Sequence, residues 1–461
     1  MKQAAIATDE GHAARQSQLL AAGVATYVMA VLFFVNLVGY LDRQILSLLV
    51  QPIKQSLGLS DGLIGLLQGA AFVATFAVAG LYIGRLVDRN NRRNLLLICI
   101  VIWTVGAAAG GFAQHAWQLF VARMAVGAGE AALIPCAISL ISDYYPANQR
   151  GKALGLFSMG IYVGAGLSLM LVGLAMPSIT ELSVWLAVHG LALEPWRLVL
   201  ISLLVPGMLA FLALSTVTEP QRDPACAANR RVSHSGLRDW AERARVYVPH
   251  HVGWGLANVC QYAVAGWFPT VLIREHAYDA KGAGLTYGII MAVVGVGSAY
   301  LGGRIADRMA SAGGPIRRLY LAPICTAIGA AGFLIIAVSS NIPAILAGAA
   351  MVTLGMGVMM VVGLTSLSEL TPPASRGQIT SIFLVVITVI GTAGGPAAVG
   401  YGNDFFGGPG VPLSRVLGFV GVVGAMLSIV LVLVAIAQIR RSPRLFSVTG
   451  EVLPSGSIAD D

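Results

Sequence analysis

Four ionisable side chains stand where a lipid-facing chain should carry none. Asp42 and Arg43 fall in the apolar run 24–51, and Arg123 and Glu130 in the run 116–143. An unpaired charge at such a depth costs several kcal/mol, so each needs a partner or a function. Asp42 and Arg43 are adjacent, so on a helix they point about 100° apart and do not neutralise each other. Arg123 and Glu130 share a face but sit two turns apart. Pairing across helices is therefore expected: Arg43 with Glu130, and Asp42 with Arg123 or with polar neighbours. A carboxylate held between burial and an arginine can carry a proton. An arginine whose carboxylate becomes protonated can bind an anion. Asp42 and Glu130 are thus candidate proton carriers, and Arg43 and Arg123 candidate substrate ligands. Asn36 and Tyr40 precede Arg43 at helical spacing and would extend a hydrogen-bonding wall for an anionic head group. A static ionic network joining two helices is the competing explanation.

The surrounding elements follow from composition. Of 461 residues, 57% are hydrophobic and 11% charged, with mean hydropathy +0.79. A soluble domain carries about 25% charge, so most of this surface must face lipid. Twelve apolar runs are long enough to span a bilayer: 24–51, 60–87, 94–114, 116–143, 151–176, 196–217, 250–274, 282–306, 318–339, 341–370, 376–402 and 411–438. The fold expected is all-α, with twelve transmembrane helices in two six-helix bundles, 1–217 and 250–440. A cytoplasmic linker, 218–249, joins them, and a disordered tail, 441–461, follows. In the linker, Leu237, Trp240, Ala244 and Val248 recur at helical spacing, as in an amphipathic helix on a membrane surface or an ordinary linker helix.

The net charge of +8 would suit nucleic acid, but its distribution points elsewhere. With the N-terminus placed inside, most of the 29 lysines and arginines fall in inner loops, so both termini are expected in the cytoplasm. The membrane would be a plasma membrane or a bacterial inner membrane. On that orientation Asp42 lies about 13 Å, Arg123 about 10 Å and Glu130 about 21 Å below the outer surface, at overlapping depths. No Asp, Glu, Lys or Arg reaches mid-depth in the last six runs, so a proton carrier belongs in the first half. In the second half, Asn258 and Tyr262 are candidate substrate contacts, and Met351, Met356, Met359 and Met360 form a wall suited to an acyl chain or to plain packing.

A repeat supports the two halves. GRLVDRNNRR (84–93) returns as GRIADR (303–308), with Arg317 and Arg318 following. SDYYPANQRG (142–151) returns as SELTPPASRG (368–377). Duplicated membrane units of this kind indicate a secondary transporter. The doubled motif resembles the inner-loop signature of the major facilitator superfamily. NLVGYLDR (36–43), RMAVGAGEA (123–131) and WFPTVL (267–272) resemble the Spinster group of lipid transporters, except that Gly39 stands where that pattern carries Asn. Related organic-anion carriers share the first two patterns. The resemblance implies that helices 1 and 4 line a central cavity and that the protein works as a monomer. It also implies an inner gate latched by Gly84, Asp88, Arg89, Arg92 and Arg150 in the first copy and by Asp307 and Arg376 in the second. Asp143 and Glu369, at corresponding inner ends, are candidate members of that latch.

Five scattered cysteines (99, 136, 226, 260 and 325) give neither a zinc site nor a disulfide framework. No cofactor beyond the proton is expected. No Walker A motif is present, and the first 20 residues do not resemble a cleaved signal peptide. An enzyme acting on lipids would need a nucleophile–base set or metal ligands within the runs, and none is visible. The expected activity is alternating-access transport of an amphiphilic anion, of lysophospholipid or sphingoid-phosphate type, coupled to protons. Uptake of a small organic anion such as a sugar acid, or drug efflux not driven by ATP, are the alternatives.

Overall fold

A computed structural model describes residues 2–220, 235–313, 315–372, 375–408 and 410–441. The rest of the linker (221–234) and the tail from 442, including its expected disorder, lie outside the described residues. Among those described, twelve helices are long and apolar enough to cross a membrane. Spans 1–6 are Gly23–Ile45, Asp61–Gly80, Arg92–Gly110, Ala116–Tyr144, Gln149–Val188 and Pro195–Ser215. Spans 7–12 are Ala244–Glu275, Ala280–Ala312, Ile316–Val338, Ile342–Leu367, Arg376–Phe406 and Leu413–Arg441. Lipid selects this architecture because each helix satisfies its own backbone hydrogen bonds. Outward side chains are apolar and exposed, among them Val78, Ile98, Leu209 and Phe419, while Trp103, Trp196, Trp254 and Trp267 fill the interiors.

Breaks within the spans have readable causes. Span 4 is two helices, Ala116–Glu130 and Leu133–Tyr144. Pro135 has no N–H and its ring crowds the carbonyl of Ala131, so the first helix stops at Glu130. Span 11 holds a π-helical turn, Thr388–Ala393, just before Pro396. The missing N–H of Pro396 frees the Thr392 carbonyl. That carbonyl lies 2.2 Å from where a Cβ on Gly69 would sit, so only glycine fits there, at the junction of helices Asp61–Gln68 and Ala70–Arg89 in span 2.

Several boundaries differ from expectation. The first run ends at Ile45, and a separate helix, Val50–Leu57, follows a turn. Span 5 was expected to stop near 176, ahead of Pro177, yet its helix runs through Pro177 to Val188. A proline inside a membrane helix is tolerated when packing compensates for the lost bond. The linker helix Ser235–Glu242 ends one residue before the helix of span 7 begins. Ala244 and Val248 therefore belong to the span and not to an amphipathic linker face. The Trp240 ring lies 6.4 Å from that of His251, so the linker helix leans on the second bundle.

Candidate functional site

Both expected cross-helix pairs are present. Arg43 donates from Nε to Glu130 Oε2 at 2.5 Å, and Arg123 donates from Nη1 to Asp42 Oδ2 at 2.8 Å. Adjacent residues on span 1 diverge, so each meets a different residue of the single face that span 4 presents. The side chains differ in access: Arg43 is 13% exposed, whereas Glu130 is fully enclosed behind it. The Arg43 guanidinium lies 4.4 Å from the Phe72 ring centroid and 4.8 Å from that of Tyr40. These aromatic faces support a cation while leaving its hydrogen-bond donors for acceptors. Among the described residues, no protein acceptor takes either Arg43 Nη, so those donors are open to a ligand.

A small, partly open cavity lies beside the pairs. Arg43, Gln44, Ser47, Gln68, Arg123 and Tyr262 supply its polar wall, with Tyr262 coming from the second bundle. A second, smaller cavity lies wholly in the second bundle against Trp254, Ala257, Asn258, Gln261, Met356, Met359 and Met360. The cavity beside the pairs is lined from both bundles, with Tyr262, Ala265, Gly266, Thr392 and Pro396 coming from the second, and the methionine-lined surface edges a separate cavity.

Asn36 departs from the expected wall. It is buried, and its amide donates to the Phe157 carbonyl of span 5 at 2.9 Å. A buried amide must place its N–H groups, and the nearest backbone acceptor takes them in preference to a ligand. Asn258 likewise donates to the Ile387 carbonyl at 2.9 Å, tying span 7 to span 11 while still edging the smaller cavity.

Among the described residues, the motif end brings together Arg92, Asp143, Asp307 and Glu369 of the expected latch, but not its other members. Arg92 is 2% exposed and joins spans 3 and 4 to the segment after span 6. Its Nε donates to Glu219 Oε1 at 2.7 Å, and its Nη1 donates to Ser139 Oγ at 3.0 Å and to Asp143. The second copy repeats the pairing: Arg318 reaches Glu369 at 3.1 Å and Asp307 at 3.8 Å. Each acid, Asp143 or Glu369, lies 51 residues after its arginine. Burial pushes the Glu369 carboxyl up, with Arg318 opposing and Asp307 adding to the rise. Arg150 donates instead to the Tyr145 carbonyl at 3.0 Å, and Arg376 to that of Thr371 at 3.4 Å. Both arginines thus brace their own turns. Gly84, Asp88 and Arg89 are exposed. The centre of each cluster is therefore Arg92 or Arg318, with Glu219 a member the repeat could not reveal because it lies outside both repeated segments.

The opposite end is clasped, and sequence reading missed it. Asp61, 1% exposed, accepts from Lys54 Nζ at 2.8 Å, from Arg274 Nη1 and Nη2 at 2.7 and 2.8 Å, and from Asn403 at 2.7 Å. A Cβ on Gly65 would lie 2.3 Å from the Pro396 carbonyl, so spans 2 and 11 touch backbone to backbone. Spans 5 and 8 touch similarly at Gly284 and the Leu169 carbonyl. At the motif end an added Cβ on Gly84, Gly151 or Gly377 meets nothing within 4 Å. The molecule is closed at the Asp61 end and open at the motif end. The small-residue series Gly62, Gly65, Gly69 was the available signal, since such spacing marks close helix contact.

Two pseudo-equivalent six-helix bundles, a buried charge network within the first and one closed end define a transporter fold of the alternating-access type. A family description, Major Facilitator Superfamily, matches residues 32–396, and the chain belongs to that family. It is 26% identical over 403 residues to an MFS-type efflux pump of Mycolicibacterium smegmatis, covering 87% of this chain and 88% of that one. It is 26% identical over 412 residues to mouse protein spinster homolog 1, covering 84% and 74%. It is 27% identical over 329 residues to a probable L-galactonate transporter of Escherichia coli, covering 68% of each. Among solved structures, a bacterial homologue of the human lysosomal transporter Spinster, inward-facing and unoccupied, aligns with TM-score 0.77 and 22% identity over 94% of this chain and 99% of that one. The family is one of transporters, not enzymes, and the chain is an integral multi-pass membrane protein resembling the Spinster group.

Proposed function

We propose that this protein is a proton-coupled transporter of amphiphilic organic anions, such as lysophospholipids or sphingoid phosphates, working by alternating access with its motif end in the cytoplasm. The observation that carries the reading is the Arg43–Glu130 pair: a cation open to the cavity whose carboxylate partner is sealed behind it. While Glu130 is ionised, it competes with an anionic substrate for Arg43. A proton on Glu130 neutralises the carboxylate, so the charge of the Arg43 guanidinium becomes available to the head group, with Arg123 nearby as a second cation. Competition for one arginine links the movement of proton and substrate. The methionine-lined cavity of the second bundle is suited to an alkyl chain, which methionine accommodates by its flexibility.

A second reading, a small hydroxylated acid, is favoured by the polar cavity itself. Gln44, Ser47, Gln68 and Tyr262 offer hydroxyl and amide groups that an alkyl chain would not use.

Sealed proteoliposomes with an imposed proton gradient test both. Labelled lysophosphatidate and labelled galactonate are offered to wild type and Glu130→Gln. Gradient-driven lysophosphatidate movement, lost in the variant, supports the leading reading. Movement of galactonate alone replaces it with the second. Movement of either that ignores the gradient removes the proton from the scheme.

A further inference from the structure

The two oxygens of Glu130 are not equivalent. Oε2 accepts from Arg43 Nε at 2.5 Å, while Oε1 is buried and, among the described residues, no group donates to it. The charged and titratable groups facing this carboxylate are Tyr40, Asp42 and Arg43 from span 1 and Arg123 from its own span. Arg123 is committed to Asp42, and Arg43 to Oε2. Gly39 also lies beside the carboxylate. A Cβ built there would stand 3.9 Å from Glu130 Cδ and 3.1 Å from the Leu133 Cδ2 methyl, the flexible end of a side chain. A hydroxyl one bond beyond that Cβ would be within reach of the carboxylate. Glycine places nothing there.

We propose that position 39 sets how tightly the coupling proton is held: because Gly39 supplies no donor, Glu130 Oε1 is the atom that takes the proton, while Oε2 keeps its contact with Arg43. The inference rests on the reading of Glu130 as the proton carrier. In the step, one O–H bond forms at Oε1 with a proton from water at the open end. The pair's net charge rises by one, and the Arg43 charge becomes available to an anion. A donor at position 39 would stabilise the ionised carboxylate and make that proton easier to lose.

The test needs no substrate. Full-length protein in lipid is titrated while infrared difference spectra follow the carbonyl stretch of protonated carboxyl groups, with the proton as the only ligand. Glu130→Gln should remove one band. Gly39→Ser should move that band's midpoint down by about one pH unit, the size of a single charge-assisted hydrogen bond. Gly39→Ala adds bulk but no donor and should leave the midpoint in place. If Gly39→Ser does not fold, pairing it with Leu133→Ala makes room. A Glu130 band that titrates identically in wild type and Gly39→Ser overturns the inference and leaves the carrier reading intact. An equal shift in Gly39→Ala also overturns it, because bulk alone would then be the cause. If Glu130→Gln removes no band, the carrier reading and the inference fall together.

Discussion

Asp404 closes the N-terminus of a helix that belongs to the other bundle: its two oxygens accept the backbone N–H groups of Asp61 and Gly62 at 3.0 and 2.7 Å. Helix N-termini leave N–H groups unpaired and carry partial positive charge, so a carboxylate there is favourable. Asp61 itself turns its side chain to Arg274, Lys54 and Asn403. Two acids 343 residues apart thus stabilise one closed end by different means.

Arg274→Ala removes two of the four donor contacts to Asp61. Breaking a buried, hydrogen-bonded ion pair costs about 3–5 kcal/mol, comparable with what is needed to move a two-state equilibrium from one side to the other. Spin labels on Gln55→Cys and Lys281→Cys, both exposed at the clasped end, should report longer distances in the variant. An unchanged distance distribution would mean that glycine packing alone holds the end shut.

Arg92 and Arg89 belong to one motif but should behave oppositely. Arg92→Met strands Asp143 and Glu219, both mostly buried, and should lower stability by about 3–5 kcal/mol. Arg89 is exposed, so Arg89→Ala should change stability by less than about 0.5 kcal/mol. Thermal unfolding of the purified proteins distinguishes them. A similar fall in both would show that the motif acts as a unit.

Arg43→Lys keeps the charge but loses the planar fork that serves Glu130 and an anion together. Loss of a charge-assisted hydrogen bond predicts about 10- to 100-fold weaker substrate affinity. Binding of lysophosphatidate by calorimetry checks this, with Arg89→Ala as the control. Undiminished affinity would take Arg43 out of the substrate site.

The extent to which these features were legible in the chain follows a physical divide. The charge pairs could be anticipated because lipid makes every buried charge conspicuous and helix geometry limits its partners. The spans were visible for the same reason, although their ends were not, since Pro177 failed to stop a helix that packing sustains. Asp61, Asp404 and Arg274 looked like ordinary loop charges, because only the approach of spans 2 and 11 brings them together. Asn36 and Asn258 could be placed on a face, but whether a carbonyl on the next helix would claim their amides depends on inter-helix distance.

The smaller cavity separates the two substrate readings. Ala257 is 4% exposed and lines the narrow space beside Met356 and Met360. Ala257→Leu would fill much of it with three added carbons. If an alkyl chain lodges there, each displaced methylene forfeits about 0.8 kcal/mol, so long-chain lysophosphatidate should lose at least about tenfold in affinity. Glycerol 3-phosphate, which has the head group and no chain, should bind the variant as it binds wild type. The contrast between the two ligands removes any general loss of folding from the comparison. Equal retention of both would place the chain outside this cavity and leave the polar cavity around Arg43 as the sole recognition element, which is the behaviour expected of a carrier for a small hydroxylated acid.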